Sequence, residues 1–205
     1  IYIHDGVSST ILSSFSSPSG SPSGLAYDGT NLISCDYSTD LIYIHDGVSS
    51  TILSSFAAPA TLPVGLAYYG PNLISCDLVS DAIYIHDGVS STVLSSFVSP
   101  FSNPRGLAYD GANLISCDYS TVRIYIHANA APASSWTDPD LANASYDSVS
   151  FSVAGQDTVP LGLAISEDGS RFYVVASAND SIFQYNLSTP WDTSSASYSG
   201  NSLSV

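Results

Sequence analysis

Histidine and cysteine recur at regular intervals along this chain of 205 residues. The histidines are His4, His45, His86 and His127, and the cysteines are Cys35, Cys76 and Cys117. Imidazole and thiolate both bind metals, so a ring of equivalent metal ligands is one interpretation of this pattern. Tyr185 takes the histidine position in the last unit, however, and no zinc-type CxxC pair is present. We therefore predict that the histidines fill one repeated structural position and that the cysteines are buried free thiols.

Aspartates flank a short polar loop in two successive units. The pairs are Asp36 with Asp40 and Asp77 with Asp81. Loops rich in oxygen ligands can hold calcium, but the spacing is not that of an EF-hand, and Val122 replaces the second aspartate in the third copy. Turn formation and capping by aspartate is the interpretation that we favour. Calcium is kept as the alternative, and no other cofactor is expected.

The chain carries no motif of a known catalytic apparatus. A GxSxG elbow, an HExxH helix and a glycine-rich phosphate loop are all missing from the sequence. The units are also too alike to supply a separate acid, base and nucleophile. We therefore predict no catalytic residues and no enzymatic activity. The residues that interrupt the repetition are the binding candidates, and they are Tyr69, Arg105, Trp136 and Trp191.

All of these residues are positioned by one repeated element. The stretch IYIHDGVSSTILSSF at 42–56 recurs almost unchanged at 1–15 and 83–97, and IYIH returns at 124–127, so the copies begin 41 residues apart. Each unit holds four short apolar runs, which in the first complete unit are GLAYD, NLISCD, LIYIH and TILSSF. Asp-Gly turns close two of these runs, and no helical periodicity is present. Four antiparallel strands in about 40 residues make one propeller blade. We predict an all-β fold, a β-propeller of four-stranded antiparallel blades, about five in number and one of them incomplete.

The units fall into two size classes. Residues 1–127 contain three 41-residue units and the start of a fourth, and residues 128–205 continue with longer units of a 52-residue type. SYDSVSFSV at 145–153 returns as SYSGNSLSV at 197–205, which gives the second spacing. We expect one continuous propeller or array. The chain contains fewer first and second strands of the repeated unit than third and fourth strands. We therefore also expect that it needs further polypeptide or a second chain to close a ring.

The repeat resembles known propeller families. GLA at 162–164, DG at 168–169 and RFYV at 171–174 resemble the YVTN-type repeat, and the 41-residue units are similar to NHL-type repeats. The segments QDT, STPW and ASYSGNS also resemble repeats of phage structural proteins and bacterial surface proteins. This resemblance implies a β-propeller fold, which hosts many different activities.

The charge of the chain excludes several classes of partner. Three basic and 18 acidic residues give a net charge of −15. Such a surface repels phosphate, which excludes nucleic acid and disfavours anionic membranes, and no apolar run reaches the ~18 residues of a membrane span. We predict a non-enzymatic extracellular, cell-surface or virion-associated protein that serves as a scaffold or adhesion module and contacts a protein or glycan surface. Two alternatives stay open: a propeller enzyme similar to streptogramin lyases, and a fibre subunit that self-associates through its incomplete blade.

Overall fold

The computed structural model describes residues 1–6, 8–110, 113–128, 145–166 and 168–204. Within these ranges the fold is all-β, apart from a short 3-10 helix at Thr193–Ser195. None of the described helices is long and apolar enough to cross a membrane. The predicted fold class is confirmed.

Four antiparallel sheets of four strands each form the blades of a β-propeller. Blade 1 contains β3 (Pro22–Tyr27), β4 (Leu32–Asp36), β5 (Leu41–His45) and β6 (Ile52–Ala57). Blade 2 contains β7 (Pro63–Tyr69), β8 (Asn72–Asp77), β9 (Ala82–His86) and β10 (Val93–Val98). Blade 3 contains β11 (Pro104–Tyr109), β12 (Leu114–Asp118), β13 (Arg123–Ala128) and β14 (Ser145–Ser152). Blade 4 contains β15 (Pro160–Ile165), β16 (Arg171–Ala176), β17 (Ser181–Leu187) and β18 (Ala196–Ser204).

The strands of each blade follow one another in chain order, and β3, β7, β11 and β15 pack side by side as the inner strands. A separate two-stranded sheet is formed by β1 (Tyr2–His4) and β2 (Ile11–Ser14). The four-stranded blades match the sequence prediction. A fifth four-stranded blade is not present among the described residues.

The hydrophobic core lies between successive blades. Ile33, Cys35 and Ile42 of blade 1 form one buried cluster with Leu66 and Leu73 of blade 2. Because blades 2 and 3 are covered on both faces, their strands are apolar on both sides and do not alternate cleanly. Burial of each such aliphatic side chain contributes about 1.5–3 kcal/mol. Packing between blades is therefore the main source of stability.

Glycine sets the distance between neighbouring inner strands. A Cβ atom on Gly65 would lie 2.2 Å from the carbonyl oxygen of Arg105 in the next blade, and one on Gly106 would lie 2.7 Å from the Cα of Gly162. Gly24 makes the corresponding approach to blade 2, at 2.9 Å from the carbonyl oxygen of Val64. Only glycine allows backbones to come this close.

Candidate binding surface

The hairpin that joins the third and fourth strands has the same internal hydrogen bonds in each 41-residue unit. In blade 1 the amide of Asp46 donates to the carbonyl of Thr51 at 2.8 Å, and the Ser49 hydroxyl donates to the carbonyl of Asp46 at 2.8 Å. The amide of Thr51 donates to Ser49 Oγ at 3.1 Å. Gly47 has a φ of +61°, and its amide donates to Asn31 Oδ1 at 3.0 Å. The tip is therefore a fixed shape.

A buried histidine anchors this tip to the body of the blade. His45 Nδ1 lies 2.7 Å from the carbonyl oxygen of Ser49, and Nε2 lies 2.9 Å from Ser34 Oγ. A carbonyl oxygen only accepts, so Nδ1 carries the proton, and Nε2 accepts from the serine hydroxyl. His86 makes the same two contacts, at 2.7 and 2.9 Å, to Ser90 and Ser75. Both ring nitrogens are used in holding the hairpin.

Burial favours the neutral form of the imidazoles of His86 and His127. It lowers the pKa of His86, although the hydrogen bond to the Ser90 backbone acts in the opposite direction. Burial lowers the pKa of His127 to about 4. His86 and His127 are therefore uncharged at neutral pH.

The outer strands place an exposed leucine beside each tip. Leu12, Leu53 and Leu94 are exposed to 64%, 57% and 48%. They follow tips that begin at Asp5, Asp46 and Asp87, whose side chains are also exposed. We call these three tips and their leucines the repeat rim. It combines carboxylates, hydroxyls and an exposed leucine, and its hydrogen bonds recur in all three copies.

A cleft of about 370 Å³ runs between the inner strands of the four blades. Its walls are glycine backbone and aliphatic side chains, and Ser23 supplies the polar side chain of the lining. None of the lining residues has a titratable side chain. The cleft is lined by Ser23, Gly24, Leu25, Val64, Gly65, Leu66, Gly106, Leu107, Leu161, Gly162, Leu163, Ala164 and Val175.

Tyrosines gather at the hairpin end of the inner strands. The rings of Tyr69 and Tyr109 lie 4.1 Å apart between centroids, at an angle of 42°. Burial raises the pKa of Tyr109, and the contact with Tyr69 raises it further. Burial, with a smaller effect of Asp28, also raises the pKa of Tyr68. Sequence reasoning identified Tyr69 but missed its partner Tyr109, whose position in the repeat is ordinarily a tyrosine.

The other binding candidates lie elsewhere. The guanidinium of Arg105 sits 5.5 Å from the centroid of the Tyr119 ring, at the end of β11 opposite Tyr109. At about 3.3 Å per residue, these two ends are about 13 Å apart. Trp191 has a φ of +64° and packs over Gly169 in blade 4, where its amide donates to the Gly169 carbonyl at 2.8 Å. Trp136 lies outside the described residues.

The loop aspartates accept hydrogen bonds from the backbone. Asp36 Oδ1 accepts from the amides of Ser38 and Thr39, each at 3.0 Å, and Oδ2 accepts from the amide of Ser21 at 2.7 Å. Burial alone would raise the pKa of Asp36, but a hydrogen bond from the Ser38 hydroxyl at 2.7 Å, together with those from the amides, outweighs burial and holds the pKa at about 2. Asp40 Oδ1 accepts from the amide of Leu62 at 2.7 Å.

The second aspartate pair is arranged in the same way. Asp77 Oδ1 accepts from the amides of Val79 and Ser80 at 2.8 and 2.7 Å, and Asp81 Oδ1 accepts from the amide of Asn103 at 3.0 Å. In the described part of the chain, no three His, Cys, Asp or Glu side chains are grouped so that they could hold a metal ion. These carboxylates close the turns and tie each blade to the next.

Comparison with known proteins supports the fold only. No family model and no curated protein matches this chain. A chain in a crystal structure of the mitotic checkpoint complex is similar, with a TM-score of 0.55 at 15% sequence identity. The match covers 87% of this chain and 52% of that chain, so this chain spans about half of its length. Similarity at this level shows a shared β-propeller fold, which does not specify an activity.

Proposed function

We propose that this chain is a non-enzymatic binding module that presents the repeat rim to a protein surface. The observation that carries the proposal is the repetition of one exposed structure. The serine hydroxyl at the tip donates to the aspartate carbonyl at 2.7, 2.8 and 2.8 Å in the three copies. The threonine amide donates to that serine at 3.2, 3.1 and 3.1 Å. A shape repeated this closely offers the same contact three times.

Repetition strengthens weak contacts. A single tip and one leucine make a small patch. When three such patches lie on one rigid body and the partner has matching sites, binding of the second and third patches is intramolecular once the first is bound. Such linkage raises the apparent affinity by about 10²–10⁴ without any new contact. The exposed aspartates favour a partner surface with basic groups around an apolar patch, and this attraction weakens as salt rises. A neutral glycan surface is the second candidate partner.

Two further observations support a binding role. The axial cleft is lined by glycine and aliphatic residues and has no acid or base among its lining side chains. The resemblance to NHL-type and YVTN-type repeats, and to repeats of phage structural and bacterial surface proteins, supports a location outside the cell or on a virion. The acidic, hydroxyl-rich composition fits that location.

The proposal is tested by binding to an immobilised panel of basic proteins, with pI above about 9, and of neutral oligosaccharides. Single, double and triple Leu→Ser variants at positions 12, 53 and 94 are compared by biolayer interferometry. We expect the apparent affinity to fall at each step and by about 100-fold for the triple variant. Val79→Ser is the matched control, because Val79 is equally exposed but lies in the turn at the opposite end of blade 2. Retention by no surface of the panel, or equal binding by the triple variant, would overturn the proposal.

A further inference from the structure

The strand β1 is built like a central strand but has one neighbour. In each blade the third strand is hydrogen-bonded on both sides, as β5 is to β4 and to β6. The same sequence, Tyr-Ile-His, forms β1, which pairs only with β2 among the described residues. Its other edge presents backbone groups of the kind that pair with an added strand.

The histidine of β1 has only one of its two usual partners. His4 Nδ1 lies 2.9 Å from the Ser8 carbonyl oxygen, and the Nδ1 atoms of His45 and His86 make the same contact with Ser49 and Ser90 at 2.7 Å. In complete blades Nε2 is bonded to a serine of the second strand, at 2.9 Å for His45 with Ser34 and at 2.8 Å for His127 with Ser116. Within the described ranges, no such serine lies beside His4 Nε2. A second strand is what would supply it.

The face of blade 1 that points toward β1 is bare near the axis. Leu25 is 50% exposed, whereas its equivalents Leu66 and Leu107 are each 3% exposed because the preceding blade covers them. Pro22 is likewise exposed, while Pro63 is buried. These are the inner positions of the blade, which the first two strands of a preceding blade would cover.

The outer half of the interface between this face of blade 1 and the preceding strands is already formed; we call such a blade-to-blade interface a joint. The Phe15 ring, just after β2, packs on His45 with centroids 5.8 Å apart. The next joint repeats this contact, with Phe56 on His86 at 5.8 Å. The sheet of β1 and β2 therefore occupies the place of the outer half of a blade, against blade 1.

We propose that the free edge of β1 and the bare face around Leu25 form a docking site for a β-hairpin with the sequence of the repeat's own first two strands. The joint between blades 1 and 2 identifies this occupant. There Gly24 comes within 2.9–3.0 Å, measured from its would-be Cβ, of the Val64 carbonyl and the Leu66 amide. In the docked hairpin the equivalent glycine meets Ser23 and Leu25, and the equivalent serine reaches His4 Nε2. The site is separate from the repeat rim and does not depend on it.

The test uses the whole chain and a fluorescently labelled peptide with the sequence of residues 21–40, followed by fluorescence anisotropy under reducing conditions. We expect saturable binding with one peptide per chain. The control peptide carries Gly24→Val, which blocks the close approach and should weaken binding at least about tenfold. Leu25→Ser in the chain should also weaken binding, whereas Val79→Ser, at an exposed residue outside both this site and the repeat rim, should not.

A second measurement avoids aggregation of the free peptide. A copy of residues 21–41 is joined directly ahead of Ile1, which keeps the repeat in register, and is compared with the same fusion carrying Gly24→Val in the added copy. We expect the unmodified copy to raise the melting temperature relative to the Val copy. Equal melting temperatures, or equal binding of the two peptides, would overturn the proposal. So would concentration-dependent dimerisation that Leu25→Ser abolishes and the peptide does not inhibit, because a second chain would then occupy the site.

Discussion

Gly65→Ala tests whether the inner strands are in backbone contact. A Cβ atom at this position would lie 2.2 Å from the carbonyl oxygen of Arg105 and 2.8 Å from Cys76 Sγ. Carbon–oxygen contacts are normally no shorter than about 3.3 Å, so β7 and β11 would have to move apart by about 1 Å. A gap of that size removes a quarter to a half of the dispersion energy at the interface between these two strands.

The cost should be at the upper end of the range for overpacked cores, about 3 kcal/mol, because the obstacle is backbone and has no rotamer to change. For a domain of this size, ~2–4 °C per kcal/mol gives a fall in the melting temperature of about 6–12 °C. The measurement is thermal unfolding followed by circular dichroism, with urea unfolding as a check on the free energy.

Gly162→Ala is the matched control. Its Cβ would meet only Val175, at 3.5 Å, which is an ordinary contact. We expect no loss of stability, or a gain of about 0.4–1 kcal/mol from the lower entropy of the unfolded chain. If the two variants lost the same stability, the argument from blade-to-blade contact would be refuted.

Three further predictions concern protons, thiols and metal. Burial lowers the pKa of His127 to about 4, below the ~6.5 of the unfolded chain, so about 3 kcal/mol of the free energy of unfolding is fully present above pH 6.5 and is lost as the pH falls toward 4. The urea midpoints at pH 7 and pH 4.5 should therefore differ less in His127→Asn than in the unmodified chain, and an equal difference would contradict this. The thiols are free and buried, and burial raises the pKa of Cys35 to about 11 and that of Cys117 to about 12. Ellman's reagent at pH 8 should therefore label no thiol of the native chain and all three thiols in denaturant without reductant. EDTA should leave the melting temperature unchanged because the turn carboxylates already accept backbone hydrogen bonds, and a rise of several degrees on adding calcium would contradict that.

The fold could be predicted because its signals are local and repeated. Asp46-Gly47 marks a hairpin, the runs on either side have strand composition, and the constant spacing shows that each unit is one blade. The burial of the cysteines followed from the same regularity. These signals require no knowledge of which residues meet across a joint.

The site could not be predicted to the same extent because it depends on contacts between units. The exposure of Leu53 is decided by its place on the outer strand, whereas Leu66, in an equally apolar run, is buried by the preceding blade. The turn carboxylate of blade 4 is another example. Ala176 stands where Asp36 stands in blade 1, and Asp157 of the preceding loop replaces it, accepting from the amide of Asn179 at 2.8 Å. No alignment of the units reveals that exchange.

The joints between blades also bear on how this chain can change in evolution. Blades 1 to 3 meet through the same residues, so a duplicated unit inserted between blades 1 and 2 would find a complementary neighbour on either side. The joint between blades 3 and 4 is different, because Phe172 and Tyr185 of blade 4 pack there against Ile115 and Cys117. A unit inserted at that point would meet a surface shaped for larger side chains. Unequal recombination should therefore lengthen or shorten the array among the short units and leave the interface between blades 3 and 4 unchanged.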